Sequence, residues 1–212
     1  MNADKKIRAL FTDIGGVLLN NGWDRNKRAL AVKTFDLDAT ELNERHHLTF
    51  DTYEEGKITL DEYLDRVVFY TPRTFTKEQF KTFMYGLSEP IPDMLELLKS
   101  IKQKYKLHIS VVSNEGRELN DHRIKTFGLG SFVDAFISSS FVHIRKPDED
   151  IFKLALDIAQ MQPEEVVFID DRPMFVQVAA KLGIKGIVHT DYNSTKQQLE
   201  AFLEANSDID KH

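Results

Sequence analysis

VVFIDDRPMFVQVAAKLGI, residues 166–184, packs a strand, an acidic turn, a helix and the start of a second strand into one run. Residues 166–170 are a short continuous apolar run closed by an acid, as expected of a parallel strand covered on both faces. Asp170-Asp171 stand at its end, and residues 174–182 carry helical period up to Gly183. The apolar run at 184–189 follows at once, so the segment reads as a βαβ unit with parallel strands.

Three more β-type runs precede it, at residues 7–13, 107–113 and 135–140. Residues 147–160 place Ile151, Leu154, Ala155 and Ile158 on one helical face, and residues 93–104 stack Leu97, Leu98 and Ile101. The alternation predicts an α/β fold, a Rossmann-like parallel sheet with helices on both faces. Residues 20–89 are far longer than a crossover needs. They read as four helices, at 24–35, 40–50, 59–70 and 76–87, the last two opened by the capping patterns Thr59-x-x-Glu62 and Thr76-x-x-Gln79. The expected organisation is a core of residues 1–19 and 90–212 interrupted by a helical insertion over 20–89. Residues 206–212 read as a polar, frayed tail.

The 212 residues suffice for one large core plus an insertion. With 28 Lys and Arg against 34 Asp and Glu, the net charge of −6 argues against a nucleic-acid partner, and 42% hydrophobic residues argue against disorder. No run approaches the ~18 apolar residues of a membrane helix. The start, MNADKKIRALF, lacks the apolar segment of a secretory leader, so no membrane partner and a cytoplasmic address are expected. Without cysteine, chemistry falls to carboxylates, hydroxyls, lysines and histidines.

Ligands of open parallel sheets bind beyond the carboxyl ends of the strands. Those ends carry Asp13 with Gly15-Gly16, then Ser113-Asn114, then Asp170-Asp171, while Lys146-Pro147 opens the helix after the third strand. Each has a plain structural alternative: a turn residue, an ordinary strand end, a solvated lysine, a helix cap. Together they suit a phosphoryl group. A carboxylate can attack phosphorus, and the attack needs the phosphoryl charge met by a hard cation on carboxylates, a lysine and hydroxyl or N–H donors.

The segments FTDIGGVL, VVSN, RKPDEDIF and VVFIDDRPMFVQVAAKLGI resemble, in order, the four motifs of the haloacid dehalogenase-like (HAD) hydrolase superfamily. The helical stretch falls where subclass I of that superfamily carries an α-helical cap. The set is similar to its small sugar-phosphate phosphatases, including glucose-1-phosphate phosphatases, which have a cap segment comparable with Glu55-Gly56-Lys57-Ile58-Thr59. The resemblance implies a magnesium-dependent phosphatase of a small phosphorylated metabolite, acting as a monomer or homodimer through an aspartyl-phosphate. It makes Asp13 the nucleophile and a Mg2+ ligand, with the Gly15 carbonyl as another. Asp171 would be the direct metal ligand of the last motif, with Asp170 assisting. Ser113 would bind the phosphoryl oxygens, Asn114 and Gly16 would donate to the same oxygens, and Lys146 would neutralise the intermediate.

One position departs from the pattern. Phosphatases of the superfamily usually carry a second Asp two residues after the nucleophile, as leaving-group acid, and here that position is Gly15. General acid–base help contributes ~10²–10⁴-fold. Its absence implies an easily departing leaving group, an acid supplied by the cap, or a weakened enzyme. Two alternatives stand beside the phosphatase: a metal-independent dehalogenase-like hydrolase, and a catalytically weak phosphate-ligand binder. His46 and His47 point about 100° apart on a helix and read as surface packing, although either could be the missing acid. Trp23, Phe50, Tyr53, Phe69 and Tyr70 read as cap core, and His122 and Arg123 carry no assignment.

Overall fold

The structure is a computed structural model that describes residues 5–209. Five strands, β1 (Ala9–Thr12), β2 (His108–Ser113), β3 (Ala135–Ser138), β4 (Val166–Asp170) and β5 (Lys185–Val188), form one all-parallel sheet in the order β3-β2-β1-β4-β5. Between β1 and β2 lie α1 (Arg25–Phe35), α2 (Ala39–Glu54), α3 (Leu60–Val67), α4 (Lys77–Gly86) and α5 (Pro92–Tyr105). Next come α6 (Arg117–Thr126), then α7 (Ser139–Val142) and α8 (Glu149–Ala159) after β3, α9 (Pro173–Lys181) after β4, and α10 (Tyr192–Ile209).

Successive strand residues feed opposite apolar clusters, the period-two consequence of the pleat. Leu10, Ile109, Val167 and Ile169 pack with Met94, Leu98, Leu199 and Leu203 from α5 and α10. Ala9, Phe11, Val166 and Phe168 face the other way, onto Ile151, Phe152 and Ala155 of α8 and Val176 and Ala179 of α9. The sheet is thus Rossmann-like, with helices on both faces. A third cluster is built from residues 23–87, with Leu119 of α6 joining it.

The expected helix starts are chemically marked. Asp24 accepts from Lys27 N at 2.8 Å, and both capping boxes, at Thr59 and Thr76, are complete. Several boundaries differ. The helix expected over 40–50 runs to Glu54 and stops only before Gly56, at φ +67°. The one expected over 59–70 ends at Val67, ahead of Pro72, whose ring disfavours a helical residue before it. Residues 139–142 leave the third strand as the short helix α7, and α10 continues through Ile209 into the region read as a tail. Among the described residues no helix is long and apolar enough to cross a membrane.

The chain leaves and re-enters the sheet at one zipped point. Asn20 N donates to Glu89 O at 2.9 Å, Ile91 N to Leu18 O at 2.9 Å, and the Asn20 amide donates to Leu87 O at 3.0 Å. Beyond it, the turn after α2 docks on the sheet unit. Ser139 Oγ donates to Glu54 O at 2.7 Å, the His143 ring meets Glu55 O at 2.7 Å, and Gly56 lies against the Ser140 carbonyl so closely that a Cβ would collide with it. Gly116, at the start of α6, likewise lies under the buried Tyr53 ring, inside which a Cβ would fall. Gly116→Ala should therefore destabilise the protein by about 1–3 kcal/mol through overpacking. A urea midpoint equal to wild type would remove this contact from the docking.

Candidate active site

The strand order reverses at β1 and β4, which makes their carboxyl ends the natural ligand site. Asp13 follows β1 directly, its N–H donating to Ile169 O at 2.9 Å, and Asp170 is the last residue of β4. Carboxylate oxygens of Asp13, Asp170 and Asp171 lie within 4.8 Å of one another. Asp171 reaches inward because Gly16 has no side chain: at φ +74°, a Cβ there would overlap the Asp171 carboxylate. This all-oxygen donor set fits a hard divalent cation such as magnesium.

Lys146 completes the cluster. Its side chain is 1% exposed, and Nζ lies 2.6 Å from Asp170 Oδ2 and 3.1 Å from Asp13 Oδ1. Burial alone would lower the ammonium's pKa, but Asp13 and Asp170 overcome it and hold it above the ordinary lysine value. Asp170 is pushed up to about 7, by burial first and by the Asp13 charge second, with Lys146 opposing both. The lysine's backbone is clamped by Asn114, whose Nδ2 donates to Lys146 O and whose Oδ1 accepts from Lys146 N, both at 2.8 Å.

A cavity of about 640 Å³ opens over this cluster, with Trp23, Arg28, Phe50 and Glu54 contributed by residues 23–54. Arg145 pairs with Asp51 at 2.7 Å and with Glu54. Burial pushes Glu54 up to about 7 in spite of Arg145. Arg123 and Glu115 form a buried ion pair on the same cavity, and Arg123 also donates to Asn20 O at the zipped crossing. Burial pushes Glu115 up against the pull of Arg123, and the Asp13 charge adds to it.

Asp13, Lys146, Asp170 and Asp171 therefore converge, while Ser113 sits buried at the end of β2. Two expected donors already make other hydrogen bonds. Gly16 N–H donates to Leu19 O at 2.7 Å, and one hydrogen of the Asn114 amide goes to Lys146 O, leaving the other. Gly15 is not in the left-handed region, and the place of a side chain there is taken by Asn21, whose Oδ1 is 2.7 Å from the position of a Cβ. His46 meets Tyr63 Oη at 2.9 Å, and burial, helped by Arg28 and His47, lowers its pKa to about 3. Such a lowered pKa disfavours the imidazolium that a histidine acid needs near neutral pH. Trp23 and Tyr53 are buried in the helical cluster and Phe50 and Phe69 pack against it, but Tyr70 is exposed, under the Arg45 guanidinium at 3.7 Å. The sequence does not single out Asn21, Glu54, Glu115 or Arg145; of these, Glu54 reaches the cavity only because α2 docks beside Arg145.

Sheet order and the acid–lysine cluster on its carboxyl rim define an open, Rossmann-like α/β protein with a carboxylate–lysine centre at its switch point. The chain belongs to the haloacid dehalogenase-like hydrolase family, whose sequence profile matches residues 7–183. It is 32% identical over 114 residues to a phosphorylated carbohydrates phosphatase of Thermotoga maritima, a match covering 52% of this chain and only half, 50%, of that protein. It is 24% identical over 197 residues to flavin mononucleotide hydrolase 1 of Arabidopsis thaliana, covering 92% of this chain and 77% of that one. A HAD family enzyme of Bacteroides thetaiotaomicron superposes with TM-score 0.74 at 23% identity, over 88% of this chain and 95% of that one. The same enzyme has been crystallised with magnesium and inorganic phosphate, and that complex superposes with TM-score 0.71 at 24% identity, over 87% and 94%. At such identities the superpositions show the fold.

Proposed function

We propose that the chain is a magnesium-dependent phosphatase of a small phosphorylated metabolite, a sugar phosphate foremost, acting through an aspartyl-phosphate on Asp13. The observation that carries this reading is the convergence of three carboxylates, two of them paired with one buried lysine. Attack on carbon has no use for a cation, whereas three acids that repel one another on one rim are what a divalent ion offsets. The relationship to a phosphorylated carbohydrates phosphatase supports the same substrate class. Residues 20–89 are read as the cap that shapes the cavity, with Trp23, Arg28, Phe50 and Glu54 facing the metabolite.

A carboxylate oxygen of Asp13 attacks phosphorus, the ester P–O bond breaks, and the sugar leaves with its oxygen. Water then attacks phosphorus, the bond to Asp13 breaks, and inorganic phosphate is released. Lys146 stays protonated throughout and opposes the charge of the phosphoryl oxygens, as does the Ser113 hydroxyl. Asp13, Asp170, Asp171 and the Gly15 carbonyl would hold magnesium, which when bound neutralises phosphoryl charge.

Phosphate release from a panel of sugar phosphates, measured with magnesium and with EDTA, tests the reading, alongside halide release from 2-haloacids. Turnover should fall more than about 100-fold on chelation, as expected when a Lewis acid is withdrawn. Halide release that ignores EDTA would overturn it in favour of a dehalogenase. Thermal stabilisation by phosphate without turnover of any substrate would instead identify a binder.

A further inference from the structure

Position 15 offers no proton, and its side-chain space is filled by an amide. Asn21 stands there, its Nδ2 donating to Asp171 Oδ2 at 3.4 Å, and an amide cannot serve as an acid. Two carboxyls of the helical unit line the same cavity as Asp13. Asp24 is committed to capping α1 through Lys27 N. Glu54 is not committed in this way. Its Oε2 takes the Arg145 guanidinium, and among the described residues no hydrogen bond reaches Oε1. Its backbone is fixed by Ser139 Oγ, and the next two residues by His143 and the Ser140 carbonyl, so the carboxyl is held where the two units meet.

We propose that Glu54 is the general acid of this site, replacing the carboxyl that position 15 lacks. The proposal rests on the phosphatase reading. As Asp13 bonds to phosphorus and the ester bond breaks, the electron pair goes to the leaving oxygen, which takes the Glu54 proton. Glu54, now a carboxylate, takes a proton from water as the water oxygen bonds to phosphorus and the Asp13–phosphorus bond breaks. Both side chains are then restored, and phosphate leaves. Burial supports the protonated form, lifting Glu54 to about 7, with Glu115 and Asp51 adding and Arg145 opposing. Burial raises the Tyr63 phenol, and the Glu54 charge in turn adds to it. An acid poised near neutral pH suits proton transfer in both directions.

The experiment is single-turnover release of the leaving group from a hexose 6-phosphate and from p-nitrophenyl phosphate, with magnesium, for wild type and Glu54→Gln. Hexose release should slow by about 10²-fold or more, the general-acid contribution. The p-nitrophenol burst, whose leaving group needs no proton, should persist. The alkaline limb of the wild-type pH profile near 7 should vanish in the variant. Gly15→Asp, with Asn21→Ser to make room, should restore hexose release in the Glu54→Gln background. Arg145 keeps Asp51 as a partner, so the variant should fold; should it not, Glu54→Asp keeps a carboxyl but shortens its reach, and should slow hexose release more than p-nitrophenol release. Equal slowing of both leaving groups, or of neither, would overturn the assignment alone. A wild type that releases phosphate from neither substrate would overturn it together with the phosphatase reading.

Discussion

Asp13→Asn should lower phosphate release by about 10⁴-fold or more while leaving the protein folded, the signature of losing a nucleophile. Asparagine keeps the shape of the side chain and the backbone bond from residue 13 to Ile169 O. It removes the only charge able to bond phosphorus at the end of β1, and with it one of the three clustered carboxylates. Lys146 retains Asp170 at 2.6 Å, so no buried cation is stranded. Two measurements check this. Phosphate assays should show the loss, and intact mass after acid quench should show a single phosphoryl adduct on the wild type and none on the variant. Activity within tenfold of wild type, or an adduct persisting on the variant, would take the nucleophile role from Asp13.

The sheet was legible in the sequence because its signal is local. Continuous apolar runs that end in an acid, such as Val166 to Asp170, need no partner to be recognised, and the observed β4 has those bounds. The same holds for helix starts written in side-chain chemistry, such as Thr59 with Glu62. Helix α6 carries no such mark. It begins at Gly116 without a side-chain cap, and its Arg117–Thr126 sequence is almost wholly polar. Site residues divide along the same line. Asp13, Lys146, Asp170 and Asp171 sit at strand ends or just before a helix, where topology alone brings them together. Glu54 and Arg145 are 91 positions apart, and nothing in either neighbourhood announces the pair. Their meeting depends on Gly56 seating its turn against Ser140, a contact whose one sequence trace is a glycine at a helix end. Asn21 was hidden for another reason: its role depends on the empty side-chain space at Gly15, which is visible only in three dimensions.

Lys146→Met should lower both activity and stability, with the stability loss set by pH. The thioether can keep the packing between Phe168 and Phe175, whose ring centroids lie 5.4 and 5.0 Å from Nζ. What disappears is the charge shared by Asp13 and Asp170, and breaking a buried pair costs about 3–5 kcal/mol. Asp170 already stands near 7 with the lysine present, and it must rise further without it. A carboxyl whose folded pKa lies above its unfolded value, about 3.9, keeps its proton across a window in which the unfolded chain has released it. Stability therefore falls as pH rises through that window. Measured by urea denaturation in EDTA, both proteins should lose stability in parallel from about pH 4 to 7 on account of Asp170, and the gap between them should widen above about pH 7, where Asp170 has ionised in the wild type but not in the variant, toward a limit of roughly 3–5 kcal/mol. Added magnesium should narrow the gap, because an ion bound only by the folded carboxylates stabilises by mass action. Turnover should fall by about 10²–10³-fold even at saturating magnesium, since the phosphoryl oxygens lose a preorganised cation. A variant as stable as wild type at pH 8 in EDTA would mean that the two aspartates hold their positions without the ammonium between them.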